Sequence, residues 1–290
     1  MTELYVASQI KRSRSTQDEV MDRRSRLYTI VSEMRPMTVR QVFYQATVRG
    51  VVEKSEAGYA KVQTDLAWLR RRNIMPYNWL ADNTRWQRKP RTFDSIQQAL
   101  DDTAQFYRKA LWTDAGAYVE VWLEKDALAG VVQPITAAYD VPLMVARGYA
   151  SLSFLHSAAE YIASLSVPTF IYHCGDFDPS GVNAGEKIEQ TLREMAPVAD
   201  IHFERIAVNP EQIEAWDLPT RPTKSSDSRA KGFGALSVEL DAIPPQVLRD
   251  LVEQAIQRHL PYEQFQVLKA AEESERQLLT SLVGILGEHA

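Results

Sequence analysis

The sequence predicts an α/β protein with an added helical part, in which helices come first and strands alternate with helices afterwards. Three observations lead to this prediction. Apolar residues recur with helical spacing over residues 16–73, strand-like apolar runs begin near Tyr118, and positive charge is concentrated in the first hundred residues. A chain of 290 residues is long enough for about two domains. We therefore predict one domain over 1–112 and a second over 113–290.

The first part is expected to contain three helices, over residues 16–32, 38–50 and 56–73, followed by a short extended hairpin over 77–86. This order is typical of a winged helix, a DNA-binding module whose third helix enters the major groove. A further helix over 95–111 is expected to link the first part to the second.

The second part alternates strand-like and helical patterns, which predicts a mainly parallel sheet covered by helices. Ligands usually bind at the carboxyl ends of such strands. A polar segment over 217–234 has the composition of a functional or binding loop, and two amphipathic helices are expected after it. The predicted strands cover 117–123, 141–146, 167–174 and 201–208, and the last helices cover 245–258 and 262–286.

The charge of the chain is unevenly distributed. Residues 1–100 hold 18 Lys and Arg against 10 Asp and Glu, whereas the remainder carries a net charge of about −13. A basic region can face phosphates and an acidic region can hold cations, so the first part is expected to bind duplex DNA. The residues predicted to contact DNA are Lys61, Arg70, Arg71, Arg72 and Arg85, together with Lys125 at the phosphate.

Composition also argues against several classes of protein. No apolar run approaches the ~18 residues that a membrane-spanning helix requires. The single cysteine, Cys174, cannot form an internal disulfide or a cysteine-based zinc cluster. We therefore expect a cytoplasmic protein with no membrane association and no structural zinc.

Three carboxylates follow two of the predicted strands. Glu124 comes after the run YVEVWL, and Asp176 and Asp178 come after TFIYHC, at points where a strand ends and a loop opens. Gly175 permits a tight turn there. Crowded acids without a cation would repel one another or take up protons, and Mg²⁺ favours such hard oxygen ligands. The pattern predicts a site for Mg²⁺, or for Mn²⁺, at the three carboxylates.

The segments VWLEKDAL and CGDFDPSG resemble the glutamate and DxD motifs of the Toprim fold, which occurs in topoisomerases, bacterial primases and some nucleases. The EKDA context is similar to that of the topoisomerase VI A subunit and of the related meiotic double-strand-break protein. The resemblance covers about residues 15–203, and the order of winged helix before Toprim agrees with it. It implies that the second part is a Toprim domain with a Rossmann-like parallel sheet.

The segment VRQVFYQ is similar to the arginine-to-tyrosine motif of the same family, which matches Tyr44 to the nucleophile. Thr38 and Gln41 can form a capping box that starts this helix. Arg40 and Tyr44 are four residues apart, so the guanidinium can lie beside the phenol, favour the phenolate and hold the attacked phosphate. The chain departs from the family pattern at Phe43, where a second tyrosine is common, and at Gln41, where an acid is common. Neither change removes the nucleophile.

The resemblance implies a homodimer that cleaves double-stranded DNA by Mg²⁺-dependent tyrosine transesterification, leaving a 5′-phosphotyrosyl link. One protomer's tyrosine would work with the other protomer's metal. The sequence contains no GxxxxGK[ST] pattern, so ATP-driven strand passage is expected to need a separate ATPase B-type subunit.

Several alternatives stay open at this point. The chain could be a Toprim nuclease that uses metal-activated water, with Tyr44 merely structural, or a latent DNA-binding subunit that needs a partner ATPase. Glu239 and Asp241 could join the acidic site or cap the helix after Pro245. His173 is expected to be a strand-end histidine and not a ligand.

Overall fold

The structure is a computed structural model that describes residues 16–81, 91–113, 115–223 and 233–287. It shows a mixed α/β protein whose helices dominate the first part and whose second part contains a parallel sheet. The helices are α1 (Gln17–Met34), α2 (Val39–Val48), α3 (Glu56–Arg71), α4 (Ile96–Phe106), α5 (Ala129–Ala138), α6 (Leu152–Ala163), α7 (Pro179–Met195), α8 (Pro210–Ala215), α9 (Pro245–Gln257) and α10 (Tyr262–Gly287). The strands are β1 (Tyr118–Leu123), β2 (Leu143–Val145), β3 (Thr169–Cys174), β4 (Ile201–Ala207), β5 (Arg221–Pro222) and β6 (Leu236–Ser237).

The first three helices begin at side-chain caps that the sequence makes recognisable. The hydroxyl of Thr16 accepts the backbone N–H of Glu19, and the hydroxyl of Thr38 accepts that of Gln41, so that a capping box starts α1 and another starts α2. The predicted box at Thr38 is therefore confirmed. The three helices enclose an apolar core of their own, which includes Leu27, Ile30, Val31, Met37, Val42, Val62, Leu66 and Leu69.

The segment after α3 differs from the predicted wing hairpin. Residues Tyr77–Trp79 form a single turn of 3-10 helix, and Leu80 makes an isolated parallel bridge with Met37. The ring of Trp79 packs against Tyr28 at 5.4 Å between centroids, which draws the segment onto the helices instead of letting it extend outward. Residues 82–90, including Arg85, lie outside the described residues.

The linking helix is shorter than predicted. α4 begins after its cap at Ser95, as expected, but ends at Phe106 and not near residue 111. The residues that follow bond to α10 instead of continuing the helix: the amide of Lys109 donates to Glu272 at 2.9 Å and its ammonium to Glu275 at 2.7 Å. α4 therefore ends where the chain begins to bond to α10, a helix that is far away in the sequence.

The four strands β2, β1, β3 and β4 lie side by side in that order, and all neighbours are parallel, as predicted. Side chains of β1 alternate between two cores: Val121 packs with α5 and α9 on one face, and Trp122 packs with α6 and α7 on the other. Helices therefore cover both faces, and the carboxyl ends of β1 and β3 are adjacent.

No helix in the part of the chain that the structure describes is long and apolar enough to cross a bilayer.

Candidate active site

The three predicted acids meet at the carboxyl edge of the sheet. Glu124 directly follows β1, and Asp176 and Asp178 follow the neighbouring β3. The Oε2 atom of Glu124 accepts the backbone N–H of Asp176 at 2.8 Å. Asp178 caps α7, because its Oδ1 accepts the backbone N–H of Gly181 at 2.8 Å. The strand order thus brings together residues that lie 52 positions apart in the chain.

Two glycines allow this close approach. A Cβ atom at Gly175 would lie 2.7 Å from Oε2 of Glu124, and one at Gly181 would lie 2.9 Å from the same oxygen. Atoms at such distances would clash, so any larger residue would push Glu124 away from the loop. The backbone oxygen of Asp176, 2.5 Å from a Cβ at Gly181, and the ring of His173, 2.7 Å from one at Gly175, also require glycine at these positions.

Lys125 extends among the acids and does not project towards solvent. Its Nζ atom lies 2.9 Å from Oδ1 of Asp176, 2.8 Å from Oδ2 of Asp241 and 3.6 Å from Oε2 of Glu239. Burial lowers the pKa of Lys125, but the carboxylates of Asp241, Asp176 and Glu239 outweigh burial and raise the pKa above its ordinary value. Lys125 therefore stays protonated and bound to acids of its own chain.

The open question about Glu239 and Asp241 is settled by their contacts. Nη1 of Arg40 donates to both carboxylate oxygens of Glu239, at 2.8 and 2.6 Å. The hydroxyl of Thr38 donates to Oδ1 of Asp241 at 2.9 Å. Both acids therefore join the acidic site and fasten the start of α2 to the sheet.

Arg221, on β5, completes this set of ion pairs. Its guanidinium lies 2.9 Å from Oδ2 of Asp178 and 3.1 Å from Oε1 of Glu239. Burial would raise the pKa of Glu239, but Lys125, Arg40 and Arg221 together lower it below its ordinary value. We call the connected group the junction cluster; its members are Arg40, Lys125, Arg221, Asp176, Asp178, Glu239 and Asp241.

Tyr44 lies one helical turn after Arg40 and is almost fully buried, with 5% of its surface exposed. It packs in the core between α2 and the sheet. Burial raises the pKa of Tyr44 to about 12, and the charge of Glu239 adds to the shift. The charges of Arg40 and Lys125 act in the opposite direction but do not outweigh it. The charge of Arg40 thus acts in favour of the phenolate, as expected, but burial and Glu239 outweigh it and the phenol stays protonated.

The acids at the sheet edge supply oxygen ligands of the kind that Mg²⁺ prefers. Burial raises the pKa of Glu124 to about 7, with further contributions from the charges of Asp176 and Asp178. In the described ranges no group of three or more His, Cys, Asp or Glu side chains stands in an arrangement ready to hold a metal ion. Lys125 and Arg221 bond Asp176 and Asp178 in this arrangement.

The bonds of these carboxylates involve Oε2 of Glu124, which accepts the N–H of Asp176, and Oδ1 of Asp176, which accepts the N–H of Leu240 and pairs with Lys125. Mg²⁺ commonly binds proteins through one or two carboxylates and completes its shell with waters or phosphate oxygens. Glu124 and Asp176, with Asp178 beside them, are therefore suitable ligands, and a cation there would favour the ionised form of Glu124.

Arg205 holds the loop that follows β3 by hydrogen bonds to its backbone, a role that the sequence analysis missed. Its guanidinium donates to the carbonyl oxygens of Gly175 at 2.8 Å and Val208 at 3.1 Å, and also to that of Asp176. Burial lowers the pKa of Arg205, and the nearby acids oppose that shift. The available signal was a charged residue inside an otherwise apolar strand end, ERIAV.

His173 lies beneath the same loop and is buried. Burial lowers its pKa to about 3, and Arg205 adds to the shift, so the imidazole is neutral. Its Nε2 atom has no hydrogen-bond partner among the described residues. His173 is thus a strand-end residue, as expected.

A cavity of about 650 Å³ opens between the helical part and the edge of the sheet. Glu124, Lys125 and Arg147 line it from the sheet side, and Arg40 and Arg70 line it from the helical side. Asp126 and Asp241 line it as well, so cations and acids are mixed around the space next to Glu124.

The predicted DNA-contacting residues do not share one surface. Arg70 lines the cavity, Arg71 is exposed, and Arg72 lies over the ring of Trp68 near α1. Successive residues on an α-helix point about 100° apart, so three consecutive arginines cannot face one ligand. Lys61 is exposed on α3, and Lys125 belongs to the junction cluster.

No protein-family model matches the sequence, and no curated protein matches it significantly. The class that the fold and site define is a mixed α/β protein with an acidic, cation-bridged site at the carboxyl edge of a parallel sheet. A helix carrying an arginine and a tyrosine is attached to that site.

Proposed function

We propose that the chain is a topoisomerase VI A-like protein that binds duplex DNA and cleaves it by tyrosine transesterification. In this proposal the helical part is a winged helix, the sheet part is a Toprim domain, and the protein acts as a homodimer. One observation carries the proposal. Two motifs from distant parts of the sequence, the helix of Arg40 and Tyr44 and the acids after β1 and β3, are joined through Glu239 and Lys125.

The proposed chemistry assigns each group a role. Glu124, Asp176 and Asp178 would hold Mg²⁺, which would stabilise negative charge on the phosphate and the leaving oxygen. The phenol oxygen of Tyr44 forms a bond to phosphorus, the bond to the 3′ oxygen breaks, and the 5′ phosphate remains on the tyrosine. The phenol proton is lost, and the leaving 3′ oxygen takes one up. Arg40 would offset charge on the phosphate.

Tyr44 cannot reach a phosphate while it is buried. The start of its helix, α2, is attached to the 239–241 segment by the ion pair of Arg40 with Glu239 and by the hydrogen bond of Thr38 to Asp241. DNA or a second protomer must therefore separate α2 from the 239–241 segment before cleavage. A phosphate that replaces Glu239 as the partner of Arg40 would release α2 and offer the arginine an equivalent anion.

The burial of Tyr44 and its pKa of about 12 favour a second candidate, a metal-dependent nuclease that uses water and leaves Tyr44 structural. The same burial is compatible with a latent DNA-binding subunit that becomes active with a partner ATPase of B type. The three proposals differ in what remains attached to the DNA and in what is needed to start the reaction.

We expect Tyr44→Phe to abolish a covalent protein–DNA product while leaving folding and DNA affinity nearly unchanged, because only the nucleophilic oxygen is lost. The measurement is a denaturing gel of labelled duplex DNA after incubation with Mg²⁺, with a chelator as the metal-free arm. Tyr262→Phe is the matched control, since Tyr262 is exposed at the start of α10.

The products distinguish the candidates. Protein attached to a DNA 5′ end in the wild type, and absent from Tyr44→Phe, supports transesterification. Free 5′ phosphates from a fully active Tyr44→Phe protein would rule it out in favour of the nuclease. Cleavage that appears only when a B-type ATPase is added identifies the latent subunit.

A further inference from the structure

A second group of charged residues lies where α1 packs against α3. Arg23 and Arg24 are consecutive on α1 and both bond a single carboxylate, Asp65 of α3. Their Nε atoms lie 2.6 Å and 2.8 Å from its two oxygens. Asp65 is buried, with 1% of its surface exposed. The two arginines are thus held by an acid that no solvent molecule reaches.

This anchoring uses one end of each guanidinium, and 13% of the Arg23 side chain and 16% of the Arg24 side chain are exposed. An arginine has five N–H groups, and each of these two uses its Nε–H on Asp65. Elsewhere in the described ranges the Nη groups of Arg23 and Arg24 donate to no oxygen; Nη1 of Arg24 lies 3.9 Å from the Met21 sulfur. The paired Nη groups of a fixed arginine match the oxygens of a phosphate.

A third arginine joins them through Trp68. The guanidinium carbons of Arg24 and Arg72 lie 3.9 Å and 4.5 Å from the centroid of its ring. Arg72 is exposed and forms no ion pair within the described part of the chain. We call this group the outer basic cluster; its members are Arg23, Arg24, Arg72, Asp65 and Trp68.

The outer basic cluster carries more positive than negative charge. The cluster contains three arginines and one carboxylate. Two positive charges therefore have no acidic partner among the described residues. Beside them is an open pocket of about 390 Å³, lined by Thr16, Arg24, Trp68 and Arg72. An anion in this pocket would reduce the repulsion between Arg24 and Arg72, which lie against the same ring.

We infer that the outer basic cluster is a phosphate-binding site that takes a backbone phosphate of duplex DNA, separate from the cavity beside Glu124. The inference rests on the part of the proposed function in which the chain binds duplex DNA. Because the arginines are held by Asp65 and Trp68 before the ligand arrives, little side-chain freedom is lost on binding. Such a contact would position DNA without reading its sequence.

The test is the salt dependence of affinity for duplex DNA, measured with the full chain. Each lost phosphate contact lowers the slope of log affinity against log salt by about 0.9. Because the site takes one phosphate, we expect Arg24→Gln with Arg72→Gln to lower the slope by about 0.9, and Arg72→Gln alone to lower it by part of that amount. Between 50 and 200 mM salt, the double variant should then lose roughly threefold less affinity than the wild type.

Two controls keep the result interpretable. Arg193→Gln removes a half-exposed arginine that pairs with Glu189 on α7, and should leave the slope unchanged. Arg72→Gln breaks no ion pair among the described residues, so it tests the site even if Arg24→Gln disturbs the packing on Asp65.

An unchanged slope in both Arg72→Gln and the double variant would overturn the inference, as would a wild type that does not bind duplex DNA at 50 mM salt. Inorganic phosphate at constant ionic strength is the second arm. Quenching of wild-type but not Trp68→Phe fluorescence, with an unchanged DNA slope, would assign the site to free phosphate and also overturn the inference. The covalent product of Tyr44 is independent of this slope, so the site and the cleavage activity can fail separately.

Discussion

The junction cluster and the outer basic cluster use the same kinds of side chain in different proportions. In the junction cluster three cations meet four acids, and every member bonds another member. In the outer basic cluster Arg23 and Arg24 share one acid, and Arg72 lies over the ring of Trp68. The first cluster has one more acid than cations, whereas the second has positive charge in excess.

Balance and exposure explain what each cluster can do. Ion pairs that are complete within the chain hold segments together, and here they attach α2, which carries Tyr44, to the segment around Glu239. Cations without acidic partners attract an external anion. The comparison therefore separates a contact that would have to open in the proposed cleavage from the proposed phosphate site.

The largest effect on stability is expected when the junction cluster loses its central acid. Glu239→Gln removes the charge that Arg40, Lys125 and Arg221 share. Arg40 then loses its carboxylate partner, whereas Lys125 keeps Asp176 and Asp241 and Arg221 keeps Asp178. We expect the free energy of unfolding to fall by about 2 kcal/mol, at the low end for a broken buried pair because Arg40 is 45% exposed. Urea denaturation at pH 7 measures the loss.

Glu214→Gln is the matched control for this variant, since Glu214 is exposed on α8 and should tolerate the change. If both variants unfolded at the same urea concentration as the wild type, the junction cluster would not fasten α2, and the comparison with the outer basic cluster would lose its basis.

A smaller effect concerns the metal. Lys125→Met removes an ammonium that lies 2.9 Å from Asp176, and so removes a cation that competes for the same carboxylate. We expect Mn²⁺ to bind at least about tenfold more tightly, because a unit charge at this distance is worth more than about 1.4 kcal/mol even at high effective dielectric.

The electron paramagnetic resonance signal of free Mn²⁺ measures this affinity without any need for DNA. Lys187→Met, an exposed lysine on α7, is the control. Unchanged or weaker binding in Lys125→Met would mean that Lys125 does not compete for the metal. No binding to the wild type, even with DNA present, would contradict the proposed metal ligands.

The smallest effect is expected at a buried acid that has no cation beside it. Glu120 lies in β1, where it accepts hydrogen bonds from Trp122 at 2.7 Å and Tyr118 at 2.9 Å. Burial raises its pKa above the ordinary value, against the effect of these bonds. The folded state thus favours the protonated acid, and stability is lost as pH rises from the ordinary pKa through the raised one.

Glu120→Gln resembles the protonated acid, because its amide can accept from Trp122 and donate to the Tyr118 hydroxyl. We expect the variant to match the wild type in urea denaturation near pH 4 and to exceed it at pH 7. A variant that is less stable at both pH values would show that the ionised carboxylate is preferred in the core.

Local patterns in the sequence were sufficient for the elements and for part of the site. The capping residue Thr38 and the apolar runs before Glu124 and Asp176 predicted where a helix begins and where two strands end. The alternation of strands and helices predicted a parallel sheet, and in such a sheet the three acids lie at one edge. Spacing of this kind is local information, because it depends on neighbours within a few residues.

Only the tertiary structure decided which charges are paired. Arg40 and Glu239 are 199 residues apart, and no periodicity indicates that they meet. Burial and the charge of Glu239 outweigh Arg40 and raise the pKa of Tyr44, so the side chain is not poised as a phenolate. The same holds for Arg24 and Asp65, because the partner of a long charged side chain depends on how helices pack and not on the spacing within either helix.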